Sequence, residues 1–366
     1  MSFRVIRGAV LTVALATAWL AAGAARSAGP VVGWGYDSAG QAAPPPSVAG
    51  TAGTASAISA GGIFSCAIQA GTGSVVCWGD NNYGQATPPA QVDGRAGTAT
   101  AIAAGVYHSC AIRAGTGNVI CWGYAGNGQA TPPASVDGTA GRAAAIAAGG
   151  YHSCAIRAGT GNVVCWGYAG NGQATPPPSV NGTAGTATAI AAGGYHSCAI
   201  RAGTGNVVCW GSNYDFNNSY VGQATPPPSV NGTAGTAIAI AAGSYHSCAI
   251  QADSGNVVCW GDNGYGQATA PPSVNGTAHT ATAIAAGGYH NCAIQAGTWH
   301  VVCWGYYADG QATPPASVNG TAGTAKAIAA GGGHTLAIAA PEPAAALLSA
   351  AGLGSLLALA RRRRLG

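Results

Sequence analysis

The chain has 366 residues, only 6% of them charged, and it contains 13 Lys and Arg against 9 Asp and Glu. Seven of these cations lie within residues 1–27 and 361–364, so residues 28–340 keep six cations against eight Asp and carry a net charge of −2. A body with this charge has no basic surface for phosphate groups, and we expect no nucleic-acid partner.

The first 27 residues have the parts of a secretory signal peptide. Arg4 and Arg7 form a basic head, residues 8–22 are apolar, and residues 22–24 offer the small side chains at which signal peptidase cleaves. Cleavage after Ser27 also fits, and an uncleaved membrane anchor is the alternative. We predict a signal peptide over residues 1–27 and export of the remainder.

A Trp-Gly pair recurs seven times in the body, with one interval of 50 residues and otherwise intervals of 44. The pairs begin at Trp34, Trp78, Trp122, Trp166, Trp210, Trp260 and Trp304. The other half of the unit also recurs seven times, from Phe64-Ser65-Cys66 to His334-Thr335-Leu336. A unit of this length with several short strands is typical of a propeller blade.

The two ends of the body complement each other. Residues 31–35 are the second half of a unit without a first half, and residues 332–338 are a first half without a second. Joined, they make a seventh unit, which is how a circular array closes. We therefore predict an all-β, seven-bladed β-propeller over residues 28–340, with about four strands per blade and a closing blade shared by the N- and C-terminal halves. Short apolar helices are expected only at the two termini.

Each complete unit contains a hairpin with two cysteines eleven residues apart. In residues 195–211 the flanks favour β-structure and residues 202–205 supply a Gly-rich turn, so Cys198 faces Cys209 at a non-hydrogen-bonded position. The twelve cysteines form six such pairs: Cys66/Cys77, Cys110/Cys121, Cys154/Cys165, Cys198/Cys209, Cys248/Cys259 and Cys292/Cys303. The split unit has Leu336 and Gly33 instead, and losing both partners together is what a disulfide predicts. Metal binding, the alternative, would require a Cys-x-x-Cys or Cys/His cluster, and the sequence has none.

Six histidines recur at one position of the unit: His108, His152, His196, His246, His290 and His334. Around a wide channel they would lie too far apart to hold one metal ion, so we expect structural hydrogen bonds instead. Asp80-Asn81-Asn82 and Asp262-Asn263-Gly264 lack the full ligand set for calcium. We expect no metal and no cofactor.

Four Asn-Gly-Thr sequences match the glycosylation sequon, at Asn181, Asn231, Asn275 and Asn319. Asp137 takes the same place in another unit, and Asp and Asn share a tolerance for turn geometry. The sequence therefore favours a turn over a glycosylation site.

A specific ligand site requires positions at which the units differ. The loop after the Trp-Gly pair varies most, and in the fifth unit it gains six residues to span residues 212–221. Its aromatic and amide side chains suit stacking and hydrogen bonding to a carbohydrate or a protein. At another hairpin tip, Trp299-His300 replaces Gly-Asn. The candidate ligand-binding residues are Tyr214, Asp215, Phe216, Asn217, Asn218, Tyr220 and Trp299. The alternatives are a tolerated insertion and, for Trp299, packing within the protein.

The body offers no catalytic constellation. Glu is absent from residues 28–340, the cysteines are paired, and nearly all Asp and His residues lie at repeated positions. We therefore expect no catalytic residues and no enzymatic activity.

The tail has three parts in order. Pro341-Glu342-Pro343 precedes seventeen small or apolar residues, 344–360, and residues 361–364 are arginines. Seventeen helical residues span about 26 Å, enough to cross a bilayer with the arginines on the cytoplasmic side. This order predicts a membrane helix over residues 344–360, with the propeller outside.

The tail, residues 341–366, also closely resembles the PEP-CTERM sorting signal of Gram-negative bacteria. The resemblance implies that an exosortase-type membrane enzyme recognises Pro341, Glu342 and Pro343 and removes the tail. It further implies a setting of exopolysaccharide and biofilm matrix. The alternative is an ordinary tail anchor that is not processed.

The repeat resembles that of the regulator of chromosome condensation family. The shared pattern is Gly-x-x-His-Ser-x-Ala-Ile, then Gly-x-Val-x-x-Trp-Gly, then Gly-Gln, and it covers nearly all of residues 31–340. The resemblance implies a seven-bladed propeller with a binding role. The founding activity of that family is nucleotide exchange on a small nuclear GTPase, and export, paired cysteines and an acidic body argue against it here. The paired cysteines and the Thr-Pro-Pro loops depart from the nuclear pattern.

These features predict an exported, non-enzymatic binding or structural propeller, monomeric, in the Gram-negative envelope, at the cell surface or in the extracellular matrix. Its expected partners are an extracellular polysaccharide or envelope protein, the exosortase-type enzyme, and the membrane through the C-terminal helix before processing. The alternative is a secreted protein-binding propeller such as an inhibitor, because propeller-type β-lactamase inhibitory proteins share the repeat and the exported location. An enzyme of unknown type is the third hypothesis.

Overall fold

The computed structural model describes residues 28–341. The signal peptide and the tail from Glu342 onwards, with the helices expected there, lie outside the described residues, so those predictions stay predictions. Residues 28–341 form 21 strands and no helix. This part of the chain therefore has no helix that is long and apolar enough to cross a membrane.

The strands form seven separate sheets of three antiparallel strands. The inner strands are β2 (Ala55–Ala60), β5 (Ala99–Ala104), β8 (Ala143–Ala148), β11 (Ala187–Ala192), β14 (Ala237–Ala242), β17 (Ala281–Ala286) and β20 (Gly323–Ala330). The middle strands are β3 (Phe64–Gln69), β6 (His108–Arg113), β9 (His152–Arg157), β12 (His196–Arg201), β15 (His246–Gln251), β18 (His290–Gln295) and β21 (His334–Pro341). The outer strands are β4 (Val75–Gly79), β7 (Val119–Gly123), β10 (Val163–Gly167), β13 (Val207–Gly211), β16 (Val257–Gly261), β19 (Val301–Gly305) and β1 (Val31–Gly35).

Each sheet is a blade, numbered along the chain from blade 1 (β2-β3-β4) to blade 7 (β20-β21-β1). Inner strands of neighbouring blades contact each other in a closed ring, since β20 also contacts β2. The prediction of an all-β, seven-bladed propeller is confirmed.

The small residues of the inner strands explain how seven strands fit around one axis. The inner strand β11 reads Ala-Thr-Ala-Ile-Ala-Ala, so its backbone can approach its neighbours closely. The larger side chains pack between blades: Ile190 and Trp210 of blade 4 share a buried cluster with Cys154 and Ile156 of blade 3. The indole Nε1 of Trp210 also donates to the carbonyl oxygen of Gln173, at 2.9 Å. The repeat tryptophans therefore join adjacent blades.

The expected fourth strand of each blade is absent from residues 28–341, because the segment after the outer strand forms turns. In blade 3 this segment contains Pro176, Pro177 and Pro178, which have no N–H group for a strand ladder. One backbone hydrogen bond, from Val163 N to Val180 O at 2.9 Å, attaches it to the outer strand. The prediction of about four strands per blade was wrong, because the backbone N–H and C=O groups of this proline-rich segment form most of their hydrogen bonds within turns.

The closing blade combines both ends of the described chain, as predicted. Strand β1 pairs with β21, which places Val31 opposite Ile338 and Gly33 opposite Leu336. Strand β21 pairs on its other side with β20. The C-terminal strand is therefore the middle strand of blade 7.

The six predicted disulfides are confirmed in blades 1 to 6, one in each hairpin of middle and outer strand. In blade 4 the two cysteines lie directly opposite each other, with a Cα–Cα distance of 4.0 Å, which is typical of a non-hydrogen-bonded antiparallel pair. All six Cα–Cα distances are 4.0 or 4.1 Å, and residues 28–341 contain no free cysteine. The bonds are Cys66–Cys77, Cys110–Cys121, Cys154–Cys165, Cys198–Cys209, Cys248–Cys259 and Cys292–Cys303.

The two cysteines of each bond differ in burial. The cysteine on the middle strand is fully buried in every blade that has one. The cysteine on the outer strand is only partly buried, and this holds for Cys77, Cys121, Cys165, Cys209, Cys259 and Cys303. A soluble reductant therefore approaches each bond from the side of the outer strand, a difference that the regular spacing did not predict.

The alternating strand directions place the loops on two opposite faces. The first, which we call the tyrosine face, carries the turns between inner and middle strands and the loops after the outer strands, such as residues 193–195 and 212–221. The second, the terminal face, carries the hairpin tips between middle and outer strands and the segments that lead into the inner strands. Ala28 and Pro341 both lie on the terminal face, since β1 begins there and β21 ends there.

Candidate binding face

The repeat histidines link neighbouring blades. The Nε2 atom of His152 lies 2.8 Å from the hydroxyl oxygen of Ser197 in blade 4, and the ring is fully buried. Burial lowers the pKa of His152 to about 3, so the imidazole is neutral at physiological pH. Equivalent bonds recur around the ring, with Asn291 or Thr335 in place of Ser in two of them, and the predicted structural role of these histidines agrees with this geometry.

The two Asp-Asn loops that lack a full ligand set for calcium use their carboxylate oxygens within the loop. The two carboxylate oxygens of Asp80 accept from the side-chain amides of Asn82 and Gln85, each at 2.6 Å. Asp262 accepts from Gln267 at 2.7 Å and from the backbone N–H of Gly264 at 3.0 Å. These carboxylates fasten the loop to the buried Gln of the Gly-Gln motif. Among residues 28–341, no three His, Cys, Asp or Glu side chains are grouped so that they could hold a metal ion.

The Asn-Gly-Thr sequences form turns on the terminal face. The side-chain oxygen of Asn181 accepts from the backbone N–H of Thr183 at 3.0 Å, and Gly182 has a φ of 98°. Asp137 makes the equivalent bond to Thr139, at 2.7 Å. Asn and Asp are interchangeable here because each closes the same turn.

The main feature of the tyrosine face is a curved row of five tyrosines, which we call the tyrosine arc. Each precedes the repeat histidine of its blade, and together they span blades 2 to 6: Tyr107, Tyr151, Tyr195, Tyr245 and Tyr289. Ring centroids of consecutive members lie 5.9 to 6.4 Å apart. Blades 1 and 7 have Ile63 and Gly333 at this position, so the arc is open on one side.

A second set of tyrosines, from the loops after the outer strands, extends both ends of the arc. The ring of Tyr83 lies edge-on to Tyr107 at 5.5 Å, and that of Tyr265 lies edge-on to Tyr289 at 5.5 Å. Tyr306 continues from Tyr265 at 4.9 Å. Tyr83 and Tyr265 are exposed. The result is one aromatic surface that crosses most of the disc.

The inserted loop, residues 212–221, folds over this surface. Tyr214 and Tyr220 form a β-bridge with their rings 5.6 Å apart, and the Asp215 carboxylate accepts from the backbone N–H groups of Asn217 and Ser219. Phe216 is 71% exposed, and its ring centroid lies 6.1 Å from that of Tyr245. The loop therefore adds Phe216 to the arc and places Tyr214 and Tyr220 as a separate pair on the same face.

Six of the seven candidate ligand-binding residues thus belong to one surface. Asp215 supports the turn, while Phe216, Tyr220, Asn217 and Asn218 are exposed. Trp299 does not join them, because its hairpin tip lies on the terminal face. Its side chain is 51% exposed and its backbone φ is 63°, in the left-handed region.

At the centre of the tyrosine face, the axial channel opens through a ring of small residues. A depression of about 150 Å³ is lined by Gly pairs that precede the tyrosines, such as Gly149-Gly150 and Gly193-Gly194. Behind it lies a channel of about 400 Å³, lined mainly by Ala and Ile of the inner strands, with Ser59, Thr282, Trp299 and Lys326 among the other lining residues. Its side chains are mostly apolar, so a polar ligand would find most of its side-chain hydrogen-bond partners at the rim.

Three tyrosines of the arc have a raised pKa and are neutral donors. Burial, with the neighbouring Tyr195, raises the pKa of Tyr245 to about 12. Burial likewise raises the pKa of Tyr151 and that of Tyr289. The arc can therefore stack against a ligand and donate hydrogen bonds at any physiological pH.

Charge differs sharply between the two faces. Five of the eight Asp residues lie on the tyrosine face: Asp37, Asp80, Asp215, Asp262 and Asp309. All six cations of residues 28–341 lie on the terminal face: Arg95, Arg113, Arg142, Arg157, Arg201 and Lys326. Asp93, Asp137 and Asp253 share the terminal face. The tyrosine face is anionic and the terminal face is cationic.

The tyrosine arc was missed in the sequence although a signal was present. A Tyr stands before the repeat His in five units, and the two exceptions, Ile63 and Gly333, occur in adjacent blades. An asymmetric site requires a position at which some units differ from the others, and the position before the repeat His is one. The position of these rings, four of them partly buried and Tyr245 buried, could not be deduced without knowing that this turn lies on the face.

Known proteins support both the repeat and the fold. The model of the regulator of chromosome condensation (RCC1) repeat matches residues 55–85, 99–129, 143–173, 187–216 and 237–267. No curated protein sequence matches the chain.

Two plant receptor ectodomains resemble the chain in structure. The entire ectodomain of the Physcomitrella patens receptor kinase CR4 is 26% identical with a TM-score of 0.57; the match covers 74% of this chain and 65% of that one. The CRINKLY WD40 ectodomain of the Arabidopsis thaliana receptor kinase ACR4 is 27% identical with a TM-score of 0.52, over 69% of this chain and 81% of that one. The chain thus spans just under two thirds of the moss ectodomain.

A protein from Saccharomyces cerevisiae shares the fold at lower identity. Prp20p from Saccharomyces cerevisiae has a TM-score of 0.66 at 16% identity, and the match covers 93% of this chain and 97% of that one. The similarity to Prp20p shows the architecture alone, whereas the repeat match comes from the sequence itself. The chain is a seven-bladed β-propeller, and five segments between residues 55 and 267 match the regulator of chromosome condensation (RCC1) repeat.

Proposed function

We propose that this protein is an exported, non-enzymatic binding propeller that holds extracellular polysaccharide on its tyrosine face. The observation that carries the proposal is the continuous aromatic surface formed by the tyrosine arc and the loop of residues 212–221. Sugar rings stack on aromatic side chains, and exposed amides such as Asn217 and Asn218 supply hydrogen bonds. A row of rings several blades long fits an extended chain better than a small molecule.

The charge of this face narrows the ligand class. It carries five Asp residues and, within residues 28–341, no Lys or Arg. A polymer of uronic acids would be repelled, while a neutral glycan or one with free amino groups would not. The proposed ligand is therefore a neutral or amino-bearing polysaccharide.

The cellular setting follows from the ends of the sequence. The signal-peptide pattern and six disulfides fit an oxidising compartment outside the cytoplasm, and the receptor ectodomains that resemble the chain support an extracellular location. The PEP-CTERM-like tail suggests a Gram-negative cell surface or exopolysaccharide matrix, reached after an exosortase-type enzyme acts at Pro341-Glu342-Pro343. In this setting the propeller binds as a monomer.

Co-sedimentation with insoluble polysaccharides tests the proposal. The full chain is compared with a variant in which the ten residues 212–221 are replaced by the four residues 168–171 of blade 3, a loop the fold already accepts. We expect binding to a neutral glucan or chitosan, weaker binding by the loop variant, and none to alginate. Failure to bind any neutral or amino-bearing polymer contradicts the proposal.

A protein ligand is the second candidate. Tyr residues are enriched at protein interfaces, and the exposed Phe216 and Tyr307 would suit an aromatic anchor site. A secreted inhibitor would capture one discrete protein from the host envelope, and polysaccharide would not compete. Competition by a neutral glycan would favour the first proposal.

A further inference from the structure

The terminal face combines three features that the proposed function does not use. It carries all six cations of residues 28–341, both ends of the described chain, and the half-exposed Trp299. Three residues beyond Pro341, the sequence continues into the seventeen small or apolar residues 344–360 and then four arginines. We infer that the terminal face lies against a bilayer containing anionic phospholipid, so that the tyrosine face points away from the membrane.

The cations of this face are available to an external partner. Among residues 28–341 one ion pair is formed, between Arg95 and Asp93. Arg113 and Arg201 donate instead to the backbone oxygens of Ala96 and Ala184, which orients the guanidinium groups without neutralising them. Lys326 donates to the carbonyl oxygen of Ala28 at 3.1 Å, beside the N-terminal end of the propeller.

The arginines form a patch rather than a uniform ring. Arg113, Arg157 and Arg201 occupy the same position at the end of the middle strand in blades 2, 3 and 4. Blades 1, 5 and 6 have Gln69, Gln251 and Gln295 at this position. Each Gln donates to a Ser carbonyl oxygen in the neighbouring turn, and Arg157 donates to the equivalent oxygen of Ser135. Since Gln makes the same local bond, the fold does not require Arg, and the positive charge needs another explanation.

Trp299 lies on the same face, where it also borders the terminal mouth of the axial channel. Five other hairpin tips have Gly at its position, with φ between 71° and 75°, whereas Trp299 adopts φ 63° at a cost of about 1–2 kcal/mol. Its indole ring is half-exposed on the face from which the tail departs. Tryptophan is favoured at the boundary between lipid and water, where its ring is partly buried and its N–H stays hydrated.

A lipid surface fits these features better than a soluble polyanion. An apolar segment long enough to span a bilayer begins within three residues of this face, so any membrane that holds the segment also holds the face close. Attraction between basic residues and anionic lipid acts only within about 10 Å, which this short connection satisfies. The inference does not depend on which ligand the tyrosine face binds.

The test uses the full chain reconstituted into vesicles of brominated phosphatidylglycerol and phosphatidylcholine, with tryptophan fluorescence as the readout. Bromine quenches only a tryptophan that touches the lipid. We expect bromine to quench part of the fluorescence of the native chain, and we expect Trp299→Phe to remove that part. Any quenching of Trp19, in the predicted signal peptide, persists in the variant and is subtracted from the quenching of the native chain. Adding Tyr307→Trp to this variant places an indole on the opposite, tyrosine face and should add no quenching.

The charge requirement is tested with R113Q, R157Q and R201Q combined, which copies the native Gln of blades 1, 5 and 6. Each lost cation should lower the ratio of face-bound to free propeller about fivefold. Quenching of Trp299 should therefore fall in the triple variant and in vesicles of phosphatidylcholine alone. Unchanged quenching in either case, quenching at Tyr307→Trp, or no quenching of Trp299 in any vesicle would overturn the inference.

Discussion

The imidazole Nε2 of His152 in blade 3 lies 2.8 Å from the hydroxyl oxygen of Ser197 in blade 4, with both side chains fully buried. The equivalent bond joins five other pairs of neighbouring blades, and only Phe64 interrupts the ring. Blade contact in this propeller therefore depends on neutral histidine.

This dependence predicts loss of stability in mild acid. Burial lowers the pKa of the six histidines from 6.5 to about 3 or 4, so below pH 6.5 the unfolded chain binds protons that the folded chain does not. Stability is complete above pH 6.5 and falls as the pH decreases towards 4. At pH 5 each histidine should lower the free energy of unfolding by about 2 kcal/mol relative to its value above pH 6.5. Thermal unfolding followed between pH 7 and pH 5 measures the effect.

The control variant for this prediction is His152→Phe, which copies Phe64 of blade 1. It should lower the free energy of unfolding at pH 7, because a buried hydrogen bond is lost, yet reduce the loss between pH 7 and pH 5. An unchanged pH dependence would show that the histidines are not the cause.

The disulfides give a second prediction, for which blade 7 is the natural reference. Cys154→Leu combined with Cys165→Gly reproduces its Leu336–Gly33 pair. Losing one short cross-link should lower the free energy of unfolding by about 2–3 kcal/mol while the fold persists. Denaturant unfolding with and without reductant measures this, and the double variant should lose less on reduction than the native chain. An equal loss would mean that the bond in blade 3 is not formed.

The Gly pairs before the tyrosine arc give a matched pair of substitutions. A Cβ atom at Gly149 would lie 2.5 Å from the carbonyl oxygen of Gly193 and 2.6 Å from the His152 ring, so Gly149→Ala should destabilise by about 2 kcal/mol. A Cβ atom at Gly150 would lie 2.6 Å from the carbonyl oxygen of Gly194, but blades 2 and 5 accommodate Val106 and Ser244 at this position, so Gly150→Ser should destabilise less than Gly149→Ala. Equal effects in denaturant titration would contradict this account of inter-blade packing.

The backbone at Trp299 gives a fourth prediction. Trp299→Gly should raise the free energy of unfolding by about 1 kcal/mol, because glycine adopts a φ near 63° without steric penalty. Chemical denaturation is sufficient to measure the change. A decrease in stability would instead show that the indole packs against the protein.

The periodic features were predictable from the sequence, because repetition itself carries the information. The spacing of Cys198 and Cys209 fixed their register, and the orphan half-units at residues 31–35 and 332–338 fixed the closing blade. Local turn chemistry at Asn181 was predictable for the same reason. The prediction of a fourth strand was wrong because the prolines of that segment have no N–H group to donate. In blade 3 a single backbone hydrogen bond, at Val180, joins the segment to the outer strand.

The site was harder to predict because it depends on which loops share a face. Residues 214–220 differ from the repeat by an insertion. Trp299 differs from it just as clearly, by replacing Gly, but it lies on the other face. Tyr151 and Tyr195 were hidden in the repeat, next to a histidine whose role is structural. Composition likewise concealed the charge separation, since a net charge of −2 spread over residues 28–340 gives no indication that the two signs occupy opposite faces.

The position of β21 in blade 7 has a mechanical consequence. The strand that ends at Pro341 is hydrogen-bonded on one side to β20 and on the other to β1. A pull on the chain at Pro341 acts along the strand and must shear two ladders at once, whereas an edge strand would yield by shearing one. Blade 7 has no cross-link to resist such a pull, so the order of its strands provides the mechanical strength that a disulfide provides in the other six.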